Sequence, residues 1–408
     1  MADKKVLVYI NLSGEDYLVG EMWSHFNRGK ETSTFEYADE WLNRQEKFSL
    51  QPNLFLGKGQ QPTRQGIKIF GAFGDSAPDT WGRILMRRYE ARLAEEENRP
   101  AKTLNEIDYL LGVNDIARQG ALRFKSSVED EFLATRTDPI PPLVDIKKLL
   151  VAAENIENEK ENFEDIKLLL MPGSSLGGAR PKASIIDKDN NLCIAKFPKN
   201  SDAYNLVLWE AVALTLAKNA GINTQEWHLE KIGNKDVIIM KRFDRKGKIR
   251  IPFLSAMSML NAIDNDERTY SYVEIADVIR QNGSNPKVDL TELWTRIVFS
   301  IMISNTDDHL RNHGFLYASE MGWRLSPVYD INPNPQNAGV LTTHISEDNN
   351  SADINLALSV AEYFGLNSKD AQLIIANVKT AVQSWQDTAK SFGIKRSEIE
   401  QMKNAFKI

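Results

Sequence analysis

The chain has 408 residues, 42% hydrophobic and 26% charged, ordinary globular values that leave room for two or three domains with sizeable cores. A formal net charge of −6, from 50 Lys and Arg against 56 Asp and Glu, argues against a protein that coats nucleic acid by charge alone. Cys193 is the only cysteine, which excludes an intrachain disulfide, a CxxC pair or a cysteine zinc site; with no apolar run of transmembrane length and no long apolar stretch after Met1-Ala2-Asp3-Lys4-Lys5, a cytoplasmic chain with no membrane contact is expected.

Residues 6–24 alternate apolar and polar residues around Ser13-Gly14-Glu15-Asp16 and predict a β-hairpin, with another short strand at Phe35-Glu36-Tyr37. Asp75 to Arg83 opens a helix running to about Glu97, Pro78 suiting its first turn. Thr103 to Leu111 reads as a capped helix and Gly120-Ala121-Leu122-Arg123-Phe124 as a strand. Residues 1–127 are therefore expected to form a small α+β unit that serves as scaffold or interaction module. Pro139-Ile140-Pro141-Pro142 closes a linker. Two amphipathic helices follow, at about 143–157 and 161–170, with a solvated charge run between Glu154 and Asp165.

The run from Gly173 to Ile186 is a glycine- and serine-rich loop leading into a strand. Glycines let backbone amides approach phosphate oxygens, and Lys182 or Arg180 can add positive charge, although the run matches neither the Walker pattern nor GxGxxG. A strand at 192–197 carries Lys196 among apolar neighbours, and a helix at about 204–219 carries Glu210 near its middle. A strand lysine followed by a helix glutamate is the pair with which kinases grip the α- and β-phosphates. Val237 to Arg245 reads as a buried strand ending in a polar connection, and 255–408 is almost wholly helical in pattern.

One exception interrupts that helical part. The apolar helix 293–303 ends in the polar loop Asn305-Thr306-Asp307-Asp308-His309-Leu310-Arg311-Asn312; two short strands follow, at 314–317 and 322–325, and then Asp330. Phosphoryl transfer needs a base for the acceptor hydroxyl and oxygen ligands that hold Mg2+ on the phosphates. Asp307 suits the base, Asn312 a metal-facing amide and Asp330 a second metal ligand. Each fragment has a plainer reading: Asp, Asn and Gly gather in surface turns, and a lone lysine or glutamate is usually solvated. Their joint order, however, is the parts list of a bilobed kinase. His309, His313 and His344 lack the acid partners of a metal set; His309 is expected to be structural or to lie near the nucleotide.

With these motifs in view, the sequence resembles the HipA-type serine/threonine kinases, toxins of bacterial toxin–antitoxin pairs. The resemblance spans nearly the whole chain. It rests on Phe35-Glu36-Tyr37, Pro78 to Arg83 and Gly120 to Phe124, and above all on Lys241-Arg242-Phe243-Asp244-Arg245, Thr306 to Asn312 and Ser326-Pro327-Val328-Tyr329-Asp330, with Gly178 to Lys182 between. It implies an α+β, bilobed protein-kinase-like fold in three parts: an amino-terminal subdomain (1–127), an N-lobe-like region with the Gly-rich loop (128–245) and a helical C-lobe (246–408). It implies Asp307 as base, Asn312 and Asp330 as Mg2+ ligands, and Lys196 on the phosphates of ATP. Backbone groups of Lys241 and Phe243 would meet the adenine, and Gly177, Gly178 and His309 count among the nucleotide-binding candidates.

The resemblance further implies autophosphorylation in the Gly-rich loop, at Ser175 or else Ser174, which would expel the loop. Arg180 stands where the family commonly has glutamine, and Asp330-Ile331-Asn332 stands in place of the Asp-Phe-Gly of eukaryotic kinases. The implied partners are a protein substrate, such as an aminoacyl-tRNA synthetase, and a small helix-turn-helix antitoxin through which DNA is contacted. Two other readings stay open: a small-molecule kinase sharing Asp-x-x-x-x-Asn, and a catalytically silent kinase fold acting as an antitoxin-bound co-repressor.

Overall fold

The computed structural model describes residues 3–135, 140–170, 178, 180–264, 266, 268–318, 322–336 and 339–408. The chain forms two compact units, Met1–Asn200 with Ile239–Leu254, and Ser201–Ile238 with Ser255–Ile408.

The first unit holds an antiparallel sheet in the order β4-β3-β2-β1-β5, made of β1 (Lys4–Leu12), β2 (Glu15–Asn27), β3 (Lys30–Tyr37), β4 (Gln61–Pro62) and β5 (Leu122–Lys125). Its first two turns are two-residue connections with positive φ at both residues, Ser13 and Gly14 (53° and 93°) and Arg28 and Gly29 (50° and 78°), the backbone that matches the natural twist of a hairpin. The second turn explains why the strand expected at Phe35 already begins at Lys30. Val8, Ile10, Val19, Met22 and Phe35 are almost fully buried, and Phe35, Phe73 and Phe124 pack ring against ring. The same unit holds α1 (Asp39–Leu42), α2 (Gly71–Gly74), α3 (Thr80–Glu96), α4 (Glu106–Gly112), α5 (Ile146–Glu157) and α6 (Phe163–Leu170).

Two sequence motifs meet in this unit through buried charge. β9 (Lys235–Lys241) enters it at Ile239 and is followed by β10 (Arg245–Lys246), β11 (Ile249–Arg250) and β12 (Phe253–Ser255). Asp244, 1% exposed, accepts hydrogen bonds from Arg242 Nε (2.6 Å), Arg245 (2.8 Å) and the Gly120 amide (2.7 Å). Burial pushes its pKa up, but the Arg242 and Arg245 charges outweigh that and hold it at about 2. Gly120 has φ 75°, and a Cβ there would meet the Phe253 backbone nitrogen at 3.2 Å, so glycine is required by both conformation and space. The remaining Arg242 and Arg245 donors reach carbonyls of Ala117, Arg118 and Gly120, so the Lys241 to Arg245 segment is tied to the turn just before β5.

A second buried pair fixes the strand after the Gly-rich loop. β6 (Lys182–Ile186) and β7 (Leu192–Lys196) form an antiparallel hairpin. Lys182 Nζ is 2.7 Å from Asp79 Oδ2, both side chains 3% exposed, while the Lys182 carbonyl accepts from Trp81 Nε1 (3.1 Å). Asp79 also caps α3 by accepting from the Gly82 amide (2.7 Å). The Lys182 ammonium considered from the sequence as phosphate-directed charge is therefore paired with Asp79; Arg180 is half-buried.

The second unit is mainly helical, with α7 (Leu206–Asn219), α8 (Ala256–Met259), α9 (Tyr272–Asn282), α10 (Pro286–Ile303), α11 (Ile354–Ser359), α12 (Ser368–Gln383), α13 (Trp385–Ser391) and α14 (Arg396–Met402). Strand β8 (Trp227–Ile232) lies here, with the hairpin of β13 (Gly314–Tyr317) and β14 (Trp323–Leu325). α10 begins at Pro286, ahead of the expected start, because proline suits a first helical turn. From Leu293 to Ile303 all its side chains are buried. Trp209, Trp385 and Phe406 form a second apolar centre, the last two stacked at 4.1 Å. No helix among the described residues is long and apolar enough to cross a membrane.

Candidate active site

The Asp-x-x-x-x-Asn loop leaves the buried end of α10. Ser304, fully buried, takes the left-handed conformation (φ 50°) that ends the helix, and Asp330 takes it too (φ 56°). Outside tight turns, non-glycine residues adopt this backbone infrequently, and such residues are found at functional sites more often than elsewhere. Between them the loop is tied down at almost every step. Thr306 O accepts from the Thr342 amide (3.0 Å) and hydroxyl (2.8 Å), Thr343 Oγ1 donates to Asp308 O (2.6 Å), and Tyr329 OH donates to Arg311 O (2.6 Å).

Asp307 is solvent-exposed at its tip. Desolvation by the surrounding loop raises its pKa; His309 opposes the rise, and the carboxylates of Asp330 and Asp308 add to it. Asn312, 5% exposed, donates from Nδ2 to the Asp307 carbonyl (3.0 Å), which leaves its Oδ1 for another partner. Asp330 follows a segment anchored to α10: Arg296, itself held by Glu292, donates to the Ser326 carbonyl (2.7 Å), and Asp289 accepts from Arg324 and from the Leu325 amide (3.1 Å). Asn312 is hydrogen-bonded to the Asp307 backbone, and Asp330 lies near enough for its charge to act on Asp307. An amide oxygen from Asn312 and a carboxylate from Asp330 are the hard oxygen donors that Mg2+ prefers. Among the described residues no group of three or more His, Cys, Asp or Glu is placed to hold a metal ion.

Asp308 behaves quite differently from its neighbour. It is 3% exposed and accepts from Tyr272 OH (2.5 Å) and Ser300 Oγ (3.2 Å); His313 Nε2 lies 3.1 Å from its other oxygen, in ion-pair range but out of line for a hydrogen bond. Burial pushes its pKa up, and the His313 and Tyr272 contacts outweigh that and lower it. Sequence reasoning missed this role, as it missed Asn305; the signal present was a second aspartate directly beside the first. His309 Nδ1 is buried without a hydrogen-bond partner among the described residues, an open polar group beside Asp307.

The other expected residues lie as follows. Lys196 ends β7, half-buried, and Lys241 and Phe243 flank the end of β9 in the first unit. Glu210 is in the middle of α7 and is 4% exposed, so it is not the solvated helix residue of the plainer reading. Gly178 has φ 115°, a value that favours glycine. Ser174, Ser175 and Gly177 lie outside the described residues.

An α+β chain whose apolar helix delivers such a loop against a second aspartate has the kinase-like fold that the motif order led us to expect. The profile of the HipA-like C-terminal domain matches residues 174–385, just over half of the chain, and the chain belongs to that family. It is 26% identical over 202 residues to a Haemophilus influenzae protein named "Putative kinase", a match covering 43% of this chain and 58% of that protein. It is 20% identical over 188 residues to "Putative kinase Y4mE" of Sinorhizobium fredii, covering 38% of this chain and 41% of that protein. The matches thus span less than two thirds of either relative. Its fold is similar to that of HipA from Shewanella oneidensis MR-1, solved in a complex of HipA, HipB and operator DNA of a toxin–antitoxin system: TM-score 0.65, 16% identity, covering 98% of this chain and 94% of that one.

Proposed function

We propose that the chain is an ATP- and Mg2+-dependent serine/threonine protein kinase of the HipA type. It would act as a growth-inhibiting toxin on a cellular protein, such as an aminoacyl-tRNA synthetase, and be neutralised by a small helix-turn-helix antitoxin. The observation that supports this most is the constellation of Asp307, Asn312 and Asp330, in which the Asp307 pKa feels the Asp330 charge. Bound Mg2+ would offset the negative charge on the ATP phosphates. Asp307, with its pKa raised, is the stronger proton acceptor and would take the hydroxyl proton of the acceptor serine or threonine. Asn312 Oδ1 and the Asp330 carboxylate would hold the metal, Lys196 the phosphates, the backbone of Lys241 and Phe243 the adenine, and His309 Nδ1 a polar atom of the nucleotide.

The antitoxin and the DNA contact are suggested by the complex in which the Shewanella protein was solved. Autophosphorylation at Ser175, or at Ser174, would add about −1.5 to −2 charge to a loop meant for phosphates and so open it. The three-part division at 127 and 245 is kept as a functional proposal. The test is transfer of radiolabelled phosphate from ATP by the wild-type chain and by Asp307→Asn, with mapping of any labelled residue. Label on Ser174 or Ser175, lost in the variant, supports the reading. ATP binding without transfer, from a chain whose loop is initially unphosphorylated and with protein substrates supplied, overturns it in favour of a silent fold.

A further inference from the structure

The two halves of the candidate site come from separate stretches, the loop with Asp307 and Asn312 and the segment with Asp330, and a buried polar relay joins them. Ser300 is the one polar residue between Ile297 and Ile303 in α10, and it is 2% exposed. Its hydroxyl donates to Asp308 Oδ2 (3.2 Å) and accepts from Asn305 Nδ2 (3.3 Å). Asn305, also 2% exposed, accepts at Oδ1 from the amide of Asn332, two residues beyond Asp330 (3.0 Å). The relay therefore runs from the residue beside Asp307, through the end of α10, to the backbone beyond Asp330. Tyr272 OH fixes its Asp308 end from α9.

Buried polar groups are costly unless every one is satisfied, and a satisfied network fixes one arrangement of the groups it joins. Such fixing has a use here: Asp307 and Asp330 are like charges, and Asp330 holds a left-handed backbone that unrestrained aspartate disfavours. We infer that Ser300 and Asn305 are positioning residues that set the separation of Asp307 from Asp330 and thereby align the base with the metal ligands. This rests on the kinase reading above. Neither side chain touches a reactant; both act through the groups they hold.

The experiment compares the wild-type chain with Ser300→Ala, Asn305→Ala and the double variant. It measures kcat and the ATP KM per folded molecule, and separately Mn2+ binding in the presence of ADP, followed by loss of the free Mn2+ spin-resonance signal. Misplacement of reacting groups by about 1 Å costs on the order of 100-fold in rate, so kcat should fall about 10- to 100-fold while the ATP KM changes less than about threefold. Mn2+ affinity should weaken in both single variants. Because both residues lie on one chain of hydrogen bonds, the double variant should be no worse than the worse single one. Trp294→Phe, which removes an indole bond to the Ala357 carbonyl elsewhere in the same unit, should lower stability and leave kcat per folded molecule unchanged. Wild-type kcat and Mn2+ affinity in whichever relay variant folds would overturn the inference alone, whereas no phosphate transfer by the wild-type chain would overturn the kinase reading and the inference with it.

Discussion

At the scale of single residues, two adjacent aspartates show how environment divides identical side chains into different tasks. Asp307 is exposed and feels the charges of Asp330 and Asp308 against that of His309, whereas Asp308 is buried, with one oxygen hydrogen-bonded by Tyr272 and Ser300 and the other in ion-pair range of His313. Asp307→Asn should cut phosphate transfer by about 10²–10⁴-fold, the usual worth of a general base, as read by radiolabel counting. The same substitution removes a carboxylate whose folded pKa is raised. Ionisation of such a group is less favourable in the folded chain than in the unfolded one, so near neutral pH it detracts from stability, and the variant's Tm in a thermal melt should equal or exceed that of wild type. The sign for activity follows from the same shift. A base works deprotonated, so kcat/KM should fall as pH drops through the Asp307 pKa, and the raised value makes that loss begin at higher pH than for an ordinary aspartate near about 3.9. An acid limb at or below that ordinary value would contradict the assignment.

At the scale of elements, the ends of strands and helices are held by buried charge pairs that link distant parts of the chain. The Asp79–Lys182 pair ties the start of β6 to the amino terminus of α3. Lys182→Met takes the Lys182 cation away from the buried Asp79 carboxylate and should cost up to about 3–5 kcal/mol, read from urea unfolding. Adding Asp79→Asn to that variant should restore part of the loss, because asparagine is neutral yet still caps the Gly82 amide. A double variant as unstable as the sum of the singles would show that the pair is not the source. The Arg242–Asp244–Arg245 cluster does the corresponding work between β5 and the end of β9. It is one contact that links residues 1–127 to the segment Ile239–Leu254 within one compact unit.

At the scale of the whole molecule, a nucleotide bound to the folded chain and not to the unfolded one must raise its stability by mass action. ADP with Mg2+ at a hundred times its Kd should stabilise the chain by about 2.7 kcal/mol. In Asp330→Asn or Asn312→Ala the part of that stabilisation that depends on Mg2+ should shrink, as a thermal melt with and without the metal would show. Equal metal-dependent shifts in both variants and wild type would argue against these two residues as ligands.

The sequence by itself determined the elements whose pattern is local: the β1–β2 hairpin from its turn residues, α10 from its apolar run, the β13–β14 hairpin, and the order in which Asp307, Asn312 and Asp330 follow one another. These are legible because a turn or a helix depends on neighbours a few residues apart. Tertiary structure alone decided that Lys182 pairs with Asp79, that Asp308 is buried against Tyr272, and that Ser300 and Asn305 bridge the two halves of the site. Asp79 and Lys182 are 103 positions apart, and Tyr272 and Asp308 are 36 apart. No local preference distinguishes a paired buried charge from a solvated one at such range, because what changes the energy of a charged or polar side chain is the desolvation and the partners that folding brings to it.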